Sequence, residues 1–108
     1  MEFKNEIGLI QRRMAASIAG TSRRLEILNA LDIESGHHVL DIGCGGGHLL
    51  EEIAKAVGPE GKAYGLDTSE DQLNQARKRC CLYKNVFTIK GYANQISLEN
   101  NSLSLIHI

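Results

Sequence analysis

The run Val39-Leu-Asp-Ile-Gly-Cys-Gly-Gly-Gly-His-Leu-Leu50 constrains the fold of this chain more than any other stretch. Val39, Leu40 and Ile42 around a single acid predict a short buried strand. Gly43, Gly45 and Gly47 at alternate positions predict a tight turn, because glycine alone takes left-handed backbone angles without strain. Beyond the turn, Leu49, Leu50, Ile53, Ala54 and Val57 recur at helical spacing and give one apolar face. Strand, glycine turn and helix together make a nucleotide-type binding loop, in which backbone N–H groups and bare Cα atoms approach a ligand closely.

Asp41 decides which ligand such a loop favours. A dinucleotide or nucleoside triphosphate would place phosphate anions at the helix N-terminus, and a fixed carboxylate just before the first glycine opposes that charge at short range. The acid suits a cationic ligand instead. S-adenosylmethionine carries an ammonium and a sulfonium and no phosphate. A second acid agrees: Lys62-Ala-Tyr-Gly-Leu-Asp67 reads as a second strand ending in Asp67, placed to accept both hydroxyl protons of a ribose. Ser69 and Gln72 fit a capping box opening the next helix, whose buried face is Leu73, Ala76 and Cys80. Asn85–Lys90 follows as a third strand rich in β-branched and aromatic residues.

With these elements in order, the chain resembles the class I, Rossmann-like S-adenosylmethionine-dependent methyltransferases. VLDIGCGGG is similar to their first motif, YGLDTSEDQL to the segment ending in their ribose-binding acid, and IKGYANQI stands where a Gly-Asp-Ala run is common. The resemblance extends from about Leu25 to Ser102 and is greatest to the branch acting on quinones, sterols, arsenite and other small molecules. It implies an α/β fold of three layers, α/β/α, with a parallel sheet that stops after about the fourth strand. It also implies a cofactor site built from Asp41, Gly43, Cys44, Gly45, Gly47, Asp67, Thr68, Tyr92 and Ala93. In it Asp41 faces the methionyl ammonium, the Gly43–Gly45 backbone lines the cofactor, Asp67 binds the ribose, and Thr68, Tyr92 and Ala93 border the adenine. Tyr92 departs from the family pattern by replacing an acid. No catalytic residue is assigned, because in this family the acceptor pocket and any general base lie at the fourth and later strands.

The competing readings come from other classes. A nicotinamide- or flavin-binding module of an oxidoreductase is disfavoured by Asp41, and because a Gly-x-Gly-x-x-Gly read from Gly43 ends on His48. A P-loop is excluded, since no Gly-Lys-Ser/Thr follows the turn. A non-catalytic fragment that keeps the fold but binds cofactor weakly is the third.

A chain of 108 residues with net charge −1 carries at most one domain and no general signal for polyanions, so no nucleic-acid partner is expected. No stretch is long and apolar enough to cross a bilayer, and no signal peptide is evident. Three cysteines without paired spacing suit a reducing cytoplasm. Cys44 reads as a small packing residue, and Cys80-Cys81 as one buried and one exposed thiol. The histidines lack ligand spacing, so no metal is expected.

Residues 1–34 are expected to form a helical segment ahead of a cofactor-binding part at 35–108. Ile7, Ile10, Met14 and Ile18 mark a first helix, Gly20-Thr21-Ser22 breaks it, and Leu25, Leu28 and Leu31 mark a second. At the far end Leu103-Ser-Leu-Ile-His-Ile108 has a strand pattern, yet Ser104 stands where the family has an acid. The six residues also match the translation of a transposase end sequence used as an adapter in DNA library preparation, so natural sequence is expected to end near Ser102, the alternative being a genuine, divergent fourth strand. An open strand edge there predicts self-association.

Overall fold

A computed structural model describes the backbone of residues 2–93 and 103–107, with side chains from Ile10 onward, Arg12 excepted. The chain divides into two compact units, Met1–Ala30 and Leu31–Ile108.

The first unit lies within a single helix, α1 (Glu2–Leu31), which corrects the expected pair of helices. The predicted break is absorbed locally. Thr21 turns its hydroxyl back to donate to the Ser17 carbonyl at 3.0 Å, and Arg24 Nη2 donates to the same hydroxyl at 3.2 Å. A threonine bonded to its own preceding turn does not cap a new helix. Gly20 alone costs a helix only about 1 kcal/mol relative to alanine, too little to end thirty residues of otherwise favourable sequence. Ile10, Met14, Ile18 and Leu25 are all exposed; the Ile7 side chain lies outside the described residues.

The second unit runs β1 (His38–Ile42), α2 (His48–Val57), β2 (Lys62–Asp67), α3 (Glu70–Arg79), β3 (Val86–Lys90) and β4 (Leu105–His107). All pairings are parallel, and the strand order is β3-β2-β1-β4. This is the Rossmann-like arrangement. The expected β2 is met residue for residue, and β4 pairs with β1, Val39 opposite Leu105 and Asp41 opposite His107. Ile108 and the segment from Asn94 to Ser102 lie outside the described residues.

Helices α2 and α3 cover one face of the sheet. Gly65 of β2 faces Leu50 of α2, while its register partner Thr88 accepts a hydrogen bond from Arg77 Nε of α3 at 2.9 Å. Leu50, Ile53, Val57 and Leu73 are fully buried beneath them, together with Val39, Leu40 and Leu66 of the strands. Each such side chain contributes about 1.5–3 kcal/mol, whereas exposed ion pairs such as Lys55–Glu52 add little. Core packing therefore fixes where the strand ends fall. Because the chain leaves β1 toward β2 and β3 on one side and returns to β4 on the other, the order reverses at β1. Such a switch point opens a crevice beyond the C-terminal strand ends, where Ile42, Asp67 and Lys90 lie.

Candidate functional site

The glycine turn after β1 is tied down at both sides. The amides of Gly43 and Cys44 both donate to the Leu66 carbonyl, at 2.7 and 2.9 Å, which bends the turn across the end of β2. Arg79 of α3 donates from Nε to the Gly46 carbonyl at 3.1 Å. Gly43, Gly45 and Gly47 all have positive φ, at 76, 55 and 87°. Gly47 has a second constraint: a Cβ there would stand 2.8 Å from the Ala76 Cα. The third glycine thus lets α3 approach the start of α2, while a Cβ on Gly43 would meet nothing within 4 Å.

Asp67 joins two loops. One carboxylate oxygen accepts from the Gly45 amide at 2.9 Å, the other from the Ser69 amide at 2.9 Å. The Ser69 hydroxyl in turn accepts from the Gln72 amide at 3.3 Å. The expected capping box is therefore half made: its N-cap arm is present, while the reciprocal arm is taken by Asp67. A carboxylate accepts through about four lone-pair positions, so two backbone amides leave capacity for further donors.

Beside this clip is a cavity of about 160 Å³ lined by Ile42, Gly43, Leu66, Asp67, Thr68, Gly91, Tyr92 and Ala93. Gly43, Asp67, Thr68, Tyr92 and Ala93 of the expected set meet there. Ile42, Leu66 and Gly91 were not singled out from the sequence. The signal was present, because Ile42 and Leu66 are the last apolar residues of adjacent parallel strands and Gly91 directly follows the third. The volume falls below the ~300–1,000 Å³ of sites that enclose a whole small molecule. It suits one ring system, with the rest of a ligand lying along the turn. A larger cavity at the opposite end of the sheet has no carboxylate–glycine pairing of this kind.

The other expected residues, Asp41, Cys44, Gly45 and Gly47, are not part of its wall. Cys44 is buried, with Sγ 2.9 Å from where a Gly65 Cβ would stand. Burial, reinforced by the negative charges of Asp41 and Asp67, pushes its thiol up to about 12. It is protonated at neutral pH and a poor nucleophile, as its reading as a packing residue requires. Cys80 is buried and raised for the same first reason, and Cys81 is exposed. Asp41 is 3 % exposed, and its Oδ1 lies 3.1 Å from His107 Nδ1 of β4. Burial raises its pKa, the His107 hydrogen bond and charge lower it, and the charge of Asp67 raises it further. No cluster that could hold a metal occurs among the described residues.

Comparison with known proteins agrees with this geometry. Residues 33–108 match a family model described as a methyltransferase domain. The chain belongs to the methyltransferase domain family. Among curated relatives of this methyltransferase-domain chain, a demethylmenaquinone methyltransferase of Geobacillus stearothermophilus is 34% identical over 87 residues, 79% of this chain and 37% of the relative. A 37.1 kDa protein of transposon TN4556 from Streptomyces fradiae is 36% identical over 91 residues, 84% of this chain and 26% of the relative. A crystal structure of a SAM dependent methyltransferase from Aquifex aeolicus superposes with TM-score 0.68 at 33% identity, covering 77% of this chain and 45% of that one. The chain thus spans between about a quarter and under half of the length of these three proteins.

Proposed function

We propose that this chain supplies the cofactor-binding part of an S-adenosylmethionine-dependent methyltransferase acting on a small molecule. The observation that carries the reading is the Asp67 clip: a carboxylate at the tip of β2, oriented by two backbone amides beside a ring-sized cavity. Its remaining lone pairs accept both ribose hydroxyl protons. Ile42 and Leu66 give the adenine an apolar floor, with Thr68, Tyr92 and Ala93 at its edge. The phenol of Tyr92 accepts a hydrogen bond or stacks on the purine. The Gly43–Gly45 backbone would hold the methionyl end, where the buried charge of Asp41 would favour an ammonium over a phosphate. Gly47 acts indirectly, by seating α3 against the turn.

The cofactor supplies an electrophilic methyl carbon on a sulfonium. The chain's contribution would be alignment: the Gly45 and Ser69 amides orient Asp67, and Asp67 would in turn hold the ribose of the cofactor. The named activity of the Geobacillus relative supports a quinone-class acceptor. No helix among the described residues is long and apolar enough to cross a membrane, and the free cysteines suit a cytoplasmic setting. Self-association would use the sheet edge at β3 or β4.

Calorimetric titration tests the reading. S-adenosylhomocysteine should bind and NAD should not. Binding of NAD alone would favour an oxidoreductase module, and binding of neither would leave a non-catalytic fragment.

A further inference from the structure

At the N-terminal end of the strands lies a cavity of about 630 Å³, between the last turn of α2, the loop into β2 and the loop into β3. That volume is within the ~300–1,000 Å³ range of small-molecule sites. Its rim is held in place. Asn85 Nδ2 donates to the carbonyls of Ala54, at 3.2 Å, and Gly58, at 2.8 Å, tying the loop before β3 to the end of α2.

The wall combines open apolar surface with positive charge. Leu82 is 89% exposed and Phe87 43%, and both border the cavity with Tyr83. The Phe87 ring is fixed by stacking on Tyr64 at 5.4 Å between centroids. Lys62 Nζ stands 5.9 Å from the same ring centroid, and Lys84 shares the rim. Neither lysine forms an ion pair among the described residues, whereas Lys55 is paired with Glu52 at 3.5 Å. Glu60 is the one acid in the wall, so the unpaired balance is positive.

We infer that this cavity is a second ligand site, taking a small planar ring that carries an anionic group. The ring lies on Leu82, Tyr83 and Phe87, and the anion faces Lys62 and Lys84. Lys62 and Asp67 are the two ends of one strand, so the site stands roughly 16 Å from the Asp67 clip at ~3.3 Å per residue. It is independent of the cofactor reading.

Amide-resolved NMR of the whole chain, titrated with naphthoate, tests this. Saturable shifts should be confined to Gly58–Lys62 and Leu82–Phe87. Charge reversal at the exposed pair, Lys62→Glu with Lys84→Glu, should weaken binding at least about tenfold, the scale of a lost charge-assisted contact. The neutral naphthyl alcohol, titrated into the unaltered chain, should bind equally weakly, which reads the charge requirement without relying on the variant. Absence of shifts in these segments at millimolar naphthoate would overturn the proposal. So would equal affinity for acid and alcohol.

Discussion

Substituting three glycines by alanine separates two costs that the glycine turn combines. Gly43→Ala meets open space, so its cost is backbone strain alone, about 1–2 kcal/mol for a non-glycine residue at positive φ. Gly65→Ala has no such φ, but its new methyl would stand 2.7 Å from Leu50 Cδ2 and 2.9 Å from Cys44 Sγ. Its cost is overpacking, about 1–3 kcal/mol. Gly47→Ala incurs both, with φ at 87° and the Ala76 backbone 2.8 Å away. Its expected loss is about 2–5 kcal/mol, a large share of the ~5–15 kcal/mol that holds a domain together. Urea unfolding measures all three as shifts of midpoint at constant slope. Gly43→Ala should be mildest for stability, yet its methyl enters the cavity wall and should weaken S-adenosylhomocysteine binding. If Gly47→Ala were no more destabilising than Gly43→Ala, the contact between the turn and α3 would not be the reason for the third glycine.

Asp67→Asn keeps the shape but leaves one backbone amide without an acceptor and removes the charge. Calorimetry should show S-adenosylhomocysteine affinity lower by about a hundredfold, the scale of two charge-assisted hydrogen bonds; unchanged affinity would refute the clip. Asn85→Ala removes two hydrogen bonds to the end of α2 and should cost about 1–3 kcal/mol in urea unfolding, with faster amide exchange in the last turn of that helix. Asp41 governs one pH dependence. Burial raises its folded pKa, so the native state holds its proton more tightly than the unfolded chain does. Stability should fall as pH rises from the unfolded value through the raised folded one, then level off, and Asp41→Asn should abolish that slope.

The second unit was legible because its signals are local. The alternating glycines, the apolar spacing from Leu50 to Val57 and the acid closing β2 each specify structure within a few residues. Three features were not legible. The join at Gly20-Thr21-Ser22 looked like a break, because sequence alone does not show that the Thr21 hydroxyl returns to Ser17. The Asp41–His107 contact spans 66 residues and depends on β4 lying beside β1. The use of Asp67 as an acceptor for Gly45 depends on the turn folding back over β2, a tertiary event that no periodicity records.

Mapping S-adenosylhomocysteine onto the backbone by amide-resolved NMR bears most directly on where the nucleoside sits. The largest shifts should fall at Gly43–Gly45, Asp67–Ser69 and Gly91–Ala93, with the opposite end at Gly58–Lys62 unmoved. Saturable shifts at that far end, with the glycine turn and Asp67 silent, would contradict it.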